Sequence, residues 1–148
     1  MEKNQIASIS LLLSLIIMLG ACKPKTDVNA LRKEVLSLHD QVMGEDGKAE
    51  SNKMALDSMI RAMPAKAENV KPLSDSIGKL SDRMMDWMHK FDPDQKGKSE
   101  GQVSSYLSGQ KKQLNQLDST YKVLLKTSGD YLKKQNIKTS DSMPGMKM

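Results

Sequence analysis

The sequence predicts an all-α protein: an elongated antiparallel three-helix bundle with coiled-coil-like heptads. Apolar residues recur in alternating steps of three and four over three long stretches, the spacing that lays a stripe along one helix face and packs it against neighbours. Composition agrees, because a chain with 28% charged and 3% aromatic residues has little material for a β-sandwich. Two segments, around Pro64 to Pro72 with a Pro at each end and around Asp92 to Lys98 with Pro93 and Gly97, separate the stretches. Links that short make consecutive helices antiparallel.

Ahead of the helices, Met1 to Ile6 includes Lys3, and Ile9 to Leu19 is an apolar run broken by Ser10 and Ser14. This is the build of a secretory signal peptide over residues 1–21, with small residues before the cut. A membrane-spanning helix is the rival reading, but Ile6 to Ala21 falls short of the about 20 apolar residues that a bilayer needs. The run ends on Leu19-Gly20-Ala21-Cys22, which contains the only cysteine of the chain. That pattern resembles the bacterial lipobox, and the resemblance implies that Cys22 is lipidated and opens the mature chain. A lone cysteine in an exported protein has no internal disulfide partner, which also favours modification. Acyl chains, each stabilised by about 0.8 kcal/mol per buried methylene, would hold the protein at a membrane surface.

Residues 22–27 form a polar tether, and Asp27 is placed to cap the first helix. That helix is expected over 28–63, with a stripe of Val28, Leu31, Val35, Leu38, Val42, Glu45, Ala49, Asn52, Leu56, Met59 and Met63. All but Glu45 and Asn52 are apolar. Gly44 and Gly47 each cost about 1 kcal/mol relative to Ala, yet the heptad phase runs through them, so one helix of about 54 Å is expected. Pro64 ends it, because the residue before a proline is pushed out of the helical region.

The second helix starts between Ala65 and Ser74, with Pro72 suited to its first turn, and its body is expected over 73–91. Val70, Leu73, Ile77, Leu80, Met84, Trp87 and Phe91 form its stripe, which holds the only Trp and the only Phe. Ser99-Glu100-Gly101-Gln102 reads as a capping box opening the third helix, over 99–135. Val103, Leu107, Gln110, Leu114, Leu117, Tyr121, Leu124, Ser128 and Tyr131 mark its buried face, with Gly129 a candidate early stop. The shorter second helix leaves the far ends of the other two to pair with each other. Residues 136–148, rich in Met and without a stripe, are expected to form a disordered tail.

The residue types capable of chemistry are few. Soft thioether sulfur and imidazole suit Cu(I): His39 and Met43 stand one turn apart on the first helix, Met85, Met88 and His89 form a patch on the second, and an antiparallel hairpin puts Met43 about level with His89. His39, Met43, Met88 and His89 are the candidate metal ligands, set against the plainer reading in which the 12 Met of the chain are adaptable core filler. Asp92, Asp94, Gly97 and Glu100 match part of a calcium-loop pattern, but Lys96 and Val103 stand where acidic ligands belong, which favours a simple turn. No nucleophile-base pair and no glycine-rich phosphate loop is present, so no enzyme, and no cofactor beyond the lipid and possible copper, is expected. The net charge of +5 suits anionic partners. Nucleic acid is not expected among them, since no basic stripe is interleaved with aromatics.

The blocks Leu38-His39-Asp40-Gln41-Val42-Met43 and Met84-Met85-Asp86-Trp87-Met88-His89-Lys90-Phe91 resemble those of a family of small bacterial lipoproteins, some labelled viral A-type inclusion protein. The resemblance implies an exported helical protein and carries no activity with it. The layout is also similar to the murein lipoprotein, an acylated helical rod that ends in a Lys used for wall attachment, whereas this chain ends Lys147-Met148. The expected function is a non-enzymatic structural or protein-interaction module, lipid-anchored in the periplasm and partnered with another envelope component. Lys23, in place of an Asp retention signal, favours the outer membrane. The alternatives are a periplasmic copper-binding protein and an oligomer joined through the exposed helix ends.

Overall fold

The computed structural model describes residues 27–137. The expected signal peptide, Cys22, nearly all of the expected tether and residues 138–148 of the expected tail lie outside the described residues. Three α-helices follow in order: α1 over Val28–Ala62, α2 over Ala67–Lys90 and α3 over Glu100–Lys134, with a short 3-10 turn at Pro64–Lys66 between the first two. No strand occurs among the described residues. Three helices pack as a three-helix bundle.

The first and third helices start where their capping chemistry predicts. Asp27 Oδ1 accepts from the backbone N–H groups of Asn29 at 2.9 Å and Ala30 at 3.1 Å. Ser99 and Gln102 form the reciprocal capping box, with Ser99 N–H donating to Gln102 Oε1 at 2.9 Å and Gln102 N–H to Ser99 Oγ at 3.4 Å. α1 passes through Gly44 and Gly47 without a break. It ends at Ala62, one residue short of the expected Met63, which adopts φ −134° ahead of Pro64.

Two boundaries depart from expectation. α2 begins at Ala67, so Pro72 stands inside the helix rather than in its first turn. Val70 explains the earlier start: it is 1% exposed, and a helix opening at Pro72 would leave that apolar anchor behind. The carbonyl that Pro72 cannot bond belongs to Glu68, which is exposed and free to face water. At the other end, Asn136 and Ile137 finish α3 instead of opening the tail. Asn136 takes φ 56°, its N–H donates to Lys133 O, and Ile137 N–H donates to Leu132 O, each at 3.0 Å. This is a Schellman cap, and Ile137 packs against the core as the motif prefers.

The helices alternate in direction, so α1 and α3 run parallel with α2 antiparallel to both. Four contacts fix the α1–α3 register: Lys111 with Glu34, Gln41 with Asp118, Tyr121 with Asp46 and Asn52 with Ser128, at sequence separations of 77, 77, 75 and 76. The core follows the heptad stripes through Val35, Val42, Ala49 and Leu56 of α1, Ile77 and Met84 of α2, and Leu107, Leu114 and Tyr121 of α3. Near the start of α1, past the last turn of α2, the loop after α2 completes the packing: Phe91 stacks on Tyr106 at 6.2 Å, and Asp92 N–H donates to the Tyr106 hydroxyl at 2.8 Å.

Candidate functional site

The side chains with chemical potential fall into three places: an aromatic end, a polar belt in the middle, and a cleft between α2 and α3. The aromatic end arises because Trp87, the last buried position of the α2 stripe, arrives opposite His39 of α1. Their rings stack with centroids 5.6 Å apart, Trp87 stacks on Phe91 at 4.7 Å, and the row continues to Tyr106. His39 Nδ1 lies 3.0 Å from Asp40 Oδ1, which orients the ring. A pocket of about 210 Å³ opens here between Leu36, His39, Trp87, Met88 and Phe91.

Of the four predicted metal ligands, this pocket brings together His39 and Met88. Met43 is half-buried and packs against the core, and it does not line the pocket. His89 is exposed, turned from Met88 by one residue on the helix surface. Among the described residues no group of three or more His, Cys, Asp or Glu side chains is placed to hold a metal ion. In the loop, both Asp92 carboxylate oxygens bond locally, Oδ1 to the N–H groups of Asp94 and Gln95 and Oδ2 to the Gln95 amide. Those bonds make Asp92 the hub of a turn, in line with the reading that Lys96 and Val103 favour.

The polar belt is what sequence reasoning missed. Tyr121 is fully buried, and its hydroxyl donates to Asp46 Oδ1 at 2.7 Å. The Ser81 hydroxyl lies 2.6 Å from the same oxygen and 2.8 Å from Glu50 Oε1, and its one proton serves one of them at a time. Burial pushes the Tyr121 hydroxyl far above its ordinary range, and Asp46 raises it further. One turn away, Asp118 accepts from Gln41 at 2.6 Å and Lys122 at 2.7 Å. Glu45 is pushed up by burial and by the neighbouring Asp118 carboxylate. Asn52 Nδ2 donates to Ser128 Oγ at 2.9 Å in the core. Toward the α1–α2 corner, burial pushes Asp57 up, but hydrogen bonds from Lys53 and Ser74 outweigh it and hold the carboxyl below its ordinary value. The signal was present in Glu45 and Asn52, the two polar residues in an otherwise apolar α1 stripe. These groups bond one another across helix seams, which suits holding helices together rather than turning over a substrate.

The third place is a cleft of about 270 Å³ where Arg83, Asp86, Trp87 and Lys90 of α2 face Gln113, Gln116 and Leu117 of α3. None of the four candidate metal ligands lines it, and Trp87 lines both openings. No protein-family model, no curated protein and no solved structure matches the chain.

Proposed function

We propose that this protein is a lipid-anchored, non-enzymatic helical module of the cell envelope. In this reading it is held through Cys22 to the periplasmic face of the outer membrane and presents its bundle to another envelope protein. The observation that carries the proposal is the run Leu19-Gly20-Ala21-Cys22 standing five residues ahead of Asp27, the cap of a fully packed bundle. No helix among the described residues is long and apolar enough to cross a membrane, and acyl chains on Cys22 would be sufficient to hold the bundle at a membrane surface. Interior polar groups bonded to one another, rather than gathered around an open site, support a role in binding or scaffolding.

Mass spectrometry of the protein from its native host tests the anchor: the expected product begins at an acylated Cys22. A chain beginning at Met1, or a free sulfur on Cys22, overturns it. Crosslinking of the acylated protein in its native envelope is expected to capture a discrete protein partner.

A second reading, a Cu(I)-binding protein, is favoured by one observation: His39 and Met88 line a single pocket against the Trp87 ring. Titration with Cu(I) under reducing conditions separates the two. Binding tighter than micromolar, lost in the paired variant H39A/M88A, establishes the metal reading, and weaker binding eliminates it.

A further inference from the structure

The outer face of α1 is used by neither reading above, and it carries a second heptad. Lys33, Asp40, Gly47, Met54 and Arg61 recur every seven residues, and all are exposed. Met54 is 68% exposed, more than any other large apolar side chain among the described residues. Between these positions stand Ser37, Gly44, Ser51 and Ser58, so the rest of the stripe is small. A Cβ at Gly44 or Gly47 would meet nothing within 4 Å, so packing inside the bundle does not call for glycine at either position. Glycine inside a helix is destabilising relative to alanine, and what it permits is close approach by another backbone.

We infer that α1 pairs through this face with α1 of a second copy of the chain, antiparallel, about a two-fold axis beside Ser51. Charge selects both the orientation and the register. In a parallel in-register pair Lys33, Asp40 and Arg61 would each face their own copy, and like charges repel. Run antiparallel, Asp40 of one copy comes level with Arg61 of the other, twice in the pair by symmetry. The same register seats Met54 over the bare backbone at Gly47, a knob over a hole, also twice. A shift of one heptad loses both matches: in one direction it sets Lys33 against Arg61, and in the other Met54 against Met54. His39 contacts Asp40 through Oδ1, and the Asp40 side chain is still 81% exposed. Arg61 donates through Nη2 to Ser58 at 2.9 Å, and the rest of its planar fork can take a carboxylate. Between residues 40 and 61 the two helices overlap over about 33 Å. A single helix pair stands at the small end of specific interfaces, so a reversible dimer is expected. The inference rests on the surface of α1 and does not depend on the anchor.

Sedimentation of the Cys22→Ser chain over a concentration series tests it, since that variant carries neither an acyl chain nor a thiol. A dimer is expected to form by about 100 µM. Asp40→Arg and Arg61→Asp should each weaken it by about tenfold or more, and the double variant should regain the parent affinity, with helicity unchanged in all three. In the same background Ser51→Cys, beside the axis, should give a disulfide-linked dimer on mild oxidation, and Ser58→Cys should not, because its partner position is Gly44. A monomer at about 1 mM overturns the inference and leaves the face to a different protein. So does a double variant no tighter than the single ones, or crosslinking of Ser58→Cys as ready as that of Ser51→Cys, which would mark a parallel pair.

Discussion

The two ends of α1 are held by different physics. Near its start, His39, Trp87, Phe91 and Tyr106 stack ring on ring, and the contact is apolar, broad and tolerant of small shifts. From its middle toward its end, Asp46, Asn52 and Asp57 reach across to Tyr121, Ser128 and Ser74 through directional hydrogen bonds. Apolar stripes at heptad spacing can slide by one repeat and still bury their area. A hydrogen bond between two buried groups cannot slide, because a shift leaves both unsatisfied. The aromatic end therefore contributes mainly stability and the belt mainly registry, as a single polar residue does in a coiled coil.

The largest effect is expected at the aromatic end. Trp87→Ala removes the ring that joins His39 to Phe91 and should cost about 3–5 kcal/mol in chemical denaturation. A loss under about 1 kcal/mol would show that the stack is peripheral to stability. Tyr121→Phe keeps the ring but removes one donor to Asp46, and about 1–3 kcal/mol is expected. If it proves neutral, the belt contributes registry alone, and the contrast drawn above becomes sharper still.

Smaller effects come from the seam between the two regions. A Cβ built on Gly44 or Gly47 meets nothing within 4 Å. Gly44→Ala and Gly47→Ala should each therefore stabilise α1 by up to about 1 kcal/mol, read as a rise in thermal midpoint. A fall at either position would mean that the middle of α1 needs its flexibility. The smallest effect is a matter of pH. Glu45 has its carboxyl raised from 4.5 by burial and by Asp118, so the folded state binds its proton more tightly than the unfolded chain does. Its contribution is full below that ordinary value and is lost as pH rises through the raised one. Glu45→Gln should remove this dependence, so the wild-type midpoint should fall relative to that of the variant between acid and neutral pH. Asp57, held low, works in the opposite sense and weakens the fold as pH falls through its lowered value.

Much of this bundle could be read from periodicity, because burial of an apolar stripe is a local property of spacing. Val35, Leu56, Ile77, Trp87 and Leu114 are all buried where the heptads put them. The pattern fails toward the end of α3, where Leu132 is fully buried in place of the expected Tyr131. A helix turns every 3.6 residues rather than 3.5, and the drift accumulates along thirty-odd residues until the stripe moves by one position. The Schellman cap was missed because its left-handed residue is Asn136 and not the more usual glycine. Of the candidate ligands, His39 and Met88 do meet, since the hairpin register brings the last turn of α2 beside His39. Met43 and His89 do not join them, because level along a bundle says nothing about which way round its circumference a side chain faces. The belt needs three helices at once, and no spacing within one helix reveals that Gln41 will find Asp118.

The parallel run of α1 and α3 has a consequence for reach. Asp27 and Ser99, which cap those two helices, stand at one pole of the rod, and the Met63–Lys66 corner with Ile137 at the other, about 52 Å away for helices of 35 residues. The Phe91–Lys98 turn lies at the same pole as Asp27, and among the described residues that corner is the part farthest from it. Among the described residues, a contact made at that far pole would fall on Pro64 and the Asn136 cap.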